Sequence, residues 1–316
     1  MKLESGKMIS RVERENSQSN FTPELPPVFE VESGARIVYS THDARAGALL
    51  DIRPTGAAFP LPKPIPGKGN PVTGPVAVKG AKPGDALLVH ILSIQCDALG
   101  WCGGHAHAGA VHPGRVPEPL GRVCEVSPHG VVFSPEITIP LRPMIGCIGT
   151  APLESASTGI AGKHGGNMDQ AVVRTGVSIL LPVFVDGGLL YIGDVHAAQG
   201  DGEISGVGLE IPAEVTVEVE LIPGGAPEWP WLINEEYVMV LCVGKDFEES
   251  SYTAIDQGMT LLEKGLALAP ADALALLSLA ANVRVGAFYG SPHVTTRCEI
   301  PRYLNVAPAG LRLGHK

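Results

Sequence analysis

From residue 27 onward, apolar and polar positions alternate in short runs set off by turn residues. Val28-Phe29-Glu30-Val31-Glu32 and Ala35-Arg36-Ile37-Val38-Tyr39-Ser40 flank Ser33-Gly34, and this arrangement predicts a β-hairpin. Residues 74–80 and 86–94 read as strands on either side of the turn Lys82-Pro83-Gly84-Asp85. The second of these places Leu88, His90, Leu92 and Ile94 on one face, where His90 reads as a hydrogen-bonded sheet histidine. Further strands are predicted over 121–126, 130–133, 136–140 and 144–149. Residues 178–185 and 189–192, joined by Asp186-Gly187-Gly188, read as a second hairpin. In 213–222, Val215, Val217, Val219 and Leu221 alternate with glutamates, as in a strand with one face in water.

After about residue 250 the period changes. Ala254, Ile255, Met259, Leu262 and Leu266 fit one helical face, and Pro270 with Asp272 opens a second, leucine-rich helix reaching about Ala281. Residues 51–74 and 97–118 carry many Gly, Pro and His residues and read as long loops, the kind that packs over a site. The elements therefore predict a β-rich body followed by a small α/β tail. Residues 1–20 read as loosely held, within an N-terminal arm of 1–26, and 27–316 as one domain, its β-rich body ending near 245 and its tail covering 246–316. Composition agrees: 39 glycines and 28 prolines in 316 residues favour short strands and tight turns over long helices.

The formal net charge of −10, with no Lys/Arg cluster, excludes the electrostatic footprint of a nucleic-acid binder. The six cysteines are widely spaced, contain no Cys-x-x-Cys pair and read as reduced thiols. The polar start of the chain and its interrupted apolar runs predict neither a signal peptide nor a membrane span, so the cytoplasm is the expected location.

Titratable residues concentrate in Gly193-Asp194-Val195-His196-Ala197-Ala198-Gln199-Gly200-Asp201-Gly202-Glu203. In an extended strand end, Asp194 and His196 project to the same side, and the glycines allow Asp201 and Glu203 to return close by. Carboxylates this close raise one another's pKa unless a cation neutralises them. Three readings fit: a divalent metal site, a carboxylate base acting on water, or a solvated acidic turn. A second cluster is His164-Gly165-Gly166-Asn167-Met168-Asp169. Its glycines permit close backbone approach or an anion-binding nest, and Asn167 and Asp169 can orient an amide or hold a metal; a capped Gly-Gly turn is the plain alternative. A third is the loop with His105, His107 and His112, whose His-x-His pair is a possible metal pair beside Cys102. Signatures of a serine nucleophile, a dinucleotide fold and a phosphate loop are absent from the sequence.

Several blocks, in order, resemble the acetamidase/formamidase family. They are Val31-Glu32-Ser33-Gly34 through Thr41-His42-Asp43-Ala44, Gly69-Asn70-Pro71-Val72-Thr73-Gly74-Pro75, and Gly80-Ala81-Lys82-Pro83-Gly84-Asp85. Leu141-Arg142-Pro143-Met144-Ile145-Gly146, the 164–169 cluster and the segment 193–210, which ends in Gly206-Val207-Gly208-Leu209-Glu210, complete the set. The resemblance covers about 27–301, and the Arg-Pro-Met-Ile-Gly form of its block is similar to the acetamidase-like branch. It implies hydrolysis of a small carboxamide, such as acetamide or formamide, to carboxylate and ammonia, on a mainly β fold with a sandwich- or barrel-like body and an α/β C-terminal subdomain. It also implies a homo-oligomer (dimer or trimer) and a divalent metal, with zinc favoured over calcium. Onto the matched positions it places metal ligands at His164, Asp169, Asp194 and His196, and substrate contacts at Asn167, Gly165 and Gly166. Catalytic roles fall to Glu203, as proton shuttle to the leaving nitrogen, and to Asp201, as its positioning partner. The stretch 103–109 departs from the family pattern, which leaves substrate choice open. A lactam or carbamate hydrolase, or a non-catalytic metal- or amide-binding protein on the same fold, stand as alternatives.

Overall fold

A computed structural model describes residues 3–4, 7–50, 57–63, 69–104, 111–112, 114–116, 118–288, 293–308 and 310–311. His105 and His107 lie outside these residues; His112 is exposed. The fold is mainly β with a helical C-terminal region. A ten-stranded sheet runs in the order Leu3–Glu4, Lys7–Val12, Ala35–Thr41, Ala213–Ile222, Ala86–Cys96, Ser178–Pro182, Trp231–Ile233, Tyr237–Gly244, Val294–Pro301, Asn282–Val285. A seven-stranded sheet is centred on Met144–Thr150, Leu190–His196 and Val72–Val78. A five-stranded sheet contains Leu99–Gly104, Leu120–Ser127, Gly130–Ser134, Ile137–Ile139 and Ala58–Pro60.

The three sheets meet in one core. Ile37, Tyr39, Leu87, Val89, Val215 and Val217 from the first pack with Val76, Ile145, Ile148, Leu190 and Ile192 from the second, and with Cys124 and Val131 from the third. Ala213–Ile222 alternates between buried and half-buried positions, whereas Val72–Val78, Met144–Thr150 and Leu190–His196 are buried along their whole length, and burial of these apolar side chains holds the layers together. The opposite face of the ten-stranded sheet is covered by the helices Phe247–Leu266 and Pro270–Ala280. There Ala254, Leu261, Leu262 and Leu277 meet Leu180, Val240, Cys298 and Ile300. Asp246 caps the first helix by accepting from Glu249 N–H at 2.9 Å. His90, at the rim of its strand, bonds Ser178 Oγ through Nδ1 at 2.7 Å.

Two hairpins expected from local alternation do not form. Phe29–Val31 pairs in parallel with Val72–Val78 in the seven-stranded sheet, while Ala35–Thr41 pairs with Ala213–Ile222 and Lys7–Val12 in the ten-stranded one. Likewise Ser178–Pro182 joins Ala86–Cys96, and Leu190–His196 joins Met144–Thr150 and Val72–Val78. In both cases the turn is a corner between layers: the flanking strands bury their apolar sides from opposite walls of one core. The N-terminal arm is also not loose, since Lys7–Val12 is a sheet strand and Phe21 is fully buried beside His164. Strand Leu99–Gly104 occupies the first part of the stretch read as a His-rich loop, and Ala58–Pro60 part of the Pro/Gly-rich one.

Candidate active site

The site grows from adjacent strands of the seven-stranded sheet. Met144 pairs with His196 and Cys147 with Gly193, and on the other side Cys147 pairs with Asn167. This register brings Asp194, His196, Asn167 and the following Asp169 to one sheet end. Gly146 lies between the carboxylates: a Cβ there would sit 2.7 Å from Asp169 Oδ1 and 2.8 Å from Asp194 Oδ2, so only glycine lets them approach.

A fourth carboxylate arrives from a segment not singled out as a ligand by the sequence. Glu210 is held by backbone bonds in both directions with Trp101 (2.9 and 2.8 Å), flanked by Ile211 N–H to Val195 O at 3.0 Å. Its Oε1 comes within 3.1 Å of His196 Nε2, and Asp194 Oδ1 within 3.7 Å. The glutamate closes the Gly-Val-Gly-Leu-Glu block, which was the available signal; the isolated bridge that places it depends on residue 101, far away in sequence. Glu203 comes from the turn after Gly202.

Two overlapping groups result, Asp169/His196/Glu203 and Asp194/His196/Glu210, each with one donor atom per residue within 4.8 Å of the others. All five residues are buried. Asp169 Oδ1, Asp194 Oδ1, His196 Nε2, Glu203 Oε2 and Glu210 Oε2 have no hydrogen-bond partner. Buried polar atoms are nearly always paired, so this many orphans around one imidazole indicate a missing positive ligand. Asp169, Asp194 and Glu203 also hold left-handed backbone, with φ of 44, 55 and 43°. Such conformations cost about 1–3 kcal/mol each and concentrate where geometry serves function.

Electrostatics point the same way. Burial, with Asp169 adding to it, pushes Glu203 up to about 10. Burial pushes Glu210 up to about 8 despite His196, and burial together with Asp194 pushes Asp169 up to about 7. Burial alone would lower the His196 imidazole, but Glu210 and Asp194 outweigh it and hold its pKa well above the ordinary value. Without a cation the cluster therefore retains protons.

The His196 ring is oriented from behind. Its Nδ1 is 2.6 Å from Gln199 Oε1, while Gln199 Nε2 donates to Asp169 O at 2.7 Å. The glutamine oxygen is thereby the acceptor, Nδ1 carries hydrogen, and Nε2 presents its lone pair to the carboxylates in the neutral ring. Gly208 lies against this ring, where a Cβ would fall 2.3 Å from Nδ1.

Other expected site residues are placed differently. His164 is buried with Nε2 unpartnered, but it stands in neither donor group; its ring packs edge-on against Phe21 at 5.1 Å, and burial lowers it to about 4. Asp201 does not support Glu203 through a direct bond; it forms a two-pronged ion pair with Arg297, at 3.0 and 2.8 Å. The buried Arg297 also binds Glu299 and Gln170, so the C-terminal strand Val294–Pro301 anchors the turn that carries Glu203. Gly202 N–H, bonded to Gly286 O at 2.7 Å, reinforces that anchor. Gly165–Asn167 is a strand paired on both sides and not an open nest. Asn167 Oδ1 accepts from Asn70 Nδ2 at 3.0 Å and from Cys147 Sγ at 2.9 Å, which leaves its Nδ2 as the donor on offer.

This fold has counterparts among known proteins. The structure is similar to an acetamidase from Bacillus halodurans, with a TM-score of 0.85 and 31% identity over 93% of this chain and 97% of that one. In sequence it is similar to a putative formamidase of Schizosaccharomyces pombe, 25% identical over 67% of this chain. It is also similar to an acetamidase of Mycolicibacterium smegmatis, 28% identical over 49% of this chain. The match spans 66% and 54% of those two proteins' own lengths. The acetamidase/formamidase family model matches residues 5–160 and 153–265, and the chain belongs to that family.

Proposed function

We propose that this protein hydrolyses a small carboxamide to a carboxylate and ammonia at the Asp169/Asp194/His196/Glu203/Glu210 cluster. The observation that carries the reading is the set of buried, unpartnered donor atoms converging on His196 Nε2, within a chain of the acetamidase/formamidase family. The donors suit a divalent cation. A ring nitrogen among carboxylate oxygens favours zinc, whereas calcium prefers oxygen alone. Such an ion, when bound, polarises a carbonyl and lowers the pKa of water.

Asp194, His196 and Glu210 would hold the ion, since Glu210 and Asp194 lie nearest to Nε2. Asp169 and Glu203 then remain for proton transfer. Either carboxyl could take a proton from water and pass it to the departing nitrogen. Asn167 Nδ2, with its oxygen tied back, would donate to the substrate. Asp201 contributes by keeping the Glu203 turn fixed on Arg297.

The test is ammonia release from acetamide and formamide by purified protein, before and after chelation with dialysis, and again with zinc restored. Loss and recovery of turnover support the reading; unchanged turnover after the metal is removed overturns the metal assignment, and no turnover in any state overturns amide hydrolysis. We further place the protein in the cytoplasm as a homo-oligomer. All six cysteines are free thiols, and no helix among the described residues is long and apolar enough to cross a membrane. Light scattering measures the oligomer.

A further inference from the structure

A cavity of about 580 Å³ opens beside the carboxylate cluster, with Glu203 and Gln199 in its wall. The rest of its lining is dominated by apolar side chains. Leu120, Val131, Phe133 and Ile139 come from the five-stranded sheet, and Ile204 and Val207 from the turn beyond Glu203. Arg122 also lines the cavity, and its guanidinium lies over the Phe133 ring at 4.7 Å. Of the five cluster residues, Glu203 lines this cavity and the other four do not.

At a share of about 30 Å³ per molecule, this space corresponds to roughly twenty waters; acetamide, with four heavy atoms, would occupy about a fifth of it. The remainder would be water against leucine, isoleucine and phenylalanine, an arrangement that an apolar group displaces favourably. From this we infer that the site is built for a primary carboxamide whose acyl group is an aliphatic chain or aryl-alkyl group of several carbons. The inference rests on the amide-hydrolase reading: the carboxamide lies at Glu203 and the cation-binding cluster, and the acyl group lies along the five-stranded sheet. The bond broken is the C–N bond of the carboxamide; water supplies OH to the carbonyl carbon and hydrogen to the leaving ammonia.

The experiment measures kcat/KM of the full, zinc-replete chain for acetamide, butyramide, hexanamide and phenylacetamide by ammonia release. A favourable pocket raises kcat/KM about threefold per methylene, and so on the order of eightyfold over the four methylenes from acetamide to hexanamide. Two variants locate the effect. Ala58→Phe, on an exposed edge position lining the cavity, fills it and cuts the hexanamide-to-acetamide ratio at least fivefold. Ile139→Ala, on an exposed strand, removes wall surface without disturbing a buried core and lowers the same ratio about threefold. A ratio that both folded variants leave unchanged overturns the placement of the acyl group. If acetamide is cleaved as well as hexanamide or better, the inference falls while amide hydrolysis stands. If no amide in the panel is cleaved, both fall.

Discussion

The two motifs that face each other across the site share its donors unequally. In the 164–169 segment the strand Gly165–Asn167 is paired on both sides and Asn167 is held by Asn70 and Cys147, while His164 Nε2 and Asp169 Oδ1 stand without partners. The 194–210 segment leaves its strand after His196; Asp194, His196, Glu203 and Glu210 each carry an unpartnered atom, and Asp201 is bound to Arg297. The first segment supplies one member of the donor groups, Asp169, and the second supplies four. The lesson is that a histidine in the first and a histidine in the second are not equivalent, although the sequence presents both beside glycines and carboxylates.

The sharpest break of this comparison is a pair of variants. His196→Ala should lose bound zinc and lower kcat/KM on the order of 1,000-fold or more. His164→Ala should retain zinc within a factor of about three and be detected mainly by a lower melting temperature, because its ring packs on Phe21. Metal content by mass spectrometry together with amide turnover decides; equal zinc loss in both variants would erase the distinction. Next in size is Glu203→Gln, expected to lower kcat about 100- to 1,000-fold with normal zinc content if this carboxyl moves the proton. Zinc loss in that variant would make Glu203 a ligand instead.

The anchoring of the second segment is tested by Arg297→Met. The change leaves Glu299 with Arg284 as its remaining cation and Asp201 without its partner, and should cost at most about 3 kcal/mol in denaturant unfolding. Asp201→Asn should cost less than 1 kcal/mol, since that carboxylate is partly exposed. The smallest effect is the pH dependence of the metal-free protein. Glu203, Glu210 and Asp169 all have folded-state pKa values above those of free carboxyls, so between about pH 5 and 8 the folded chain binds more protons than the unfolded one. Stability must therefore fall as pH rises through that window, and raised His196 adds to the fall because its protonated form is the one the fold favours. Melting temperatures that climb from pH 5 to 8 without metal would contradict this electrostatic picture; restoring zinc should reverse the trend, because the cation replaces the protons.

Much of the fold was legible locally. Alternation located Ala86–Cys96 and Ala213–Ile222, and the change of period at about residue 250 located both helices. The same-side projection of Asp194 and His196 also followed from strand geometry and is met at 3.7 Å. Strand partners were not legible. Ser33-Gly34 and Asp186-Gly187-Gly188 resemble hairpin turns, but φ above zero at Gly34, Gly187 and Gly188 serves equally to turn a chain between layers. Glu210 was in view within its block, but its approach to His196 depends on pairing with Trp101. Asp201 looked like an equal of Glu203 until Arg297, distant in sequence, claimed it.

The sequence by itself determined where strands such as Ala86–Cys96 and Ala213–Ile222 lie, where the helices begin, and which short segments hold the titratable groups. These are consequences of period, capping and turn chemistry within a few residues. Tertiary structure alone decided which sheet each strand joins, which carboxylates lose their partners, and that an apolar cavity adjoins Glu203. Those outcomes depend on burial of whole strand faces against distant ones, and on charges meeting across long loops, quantities that no local window contains.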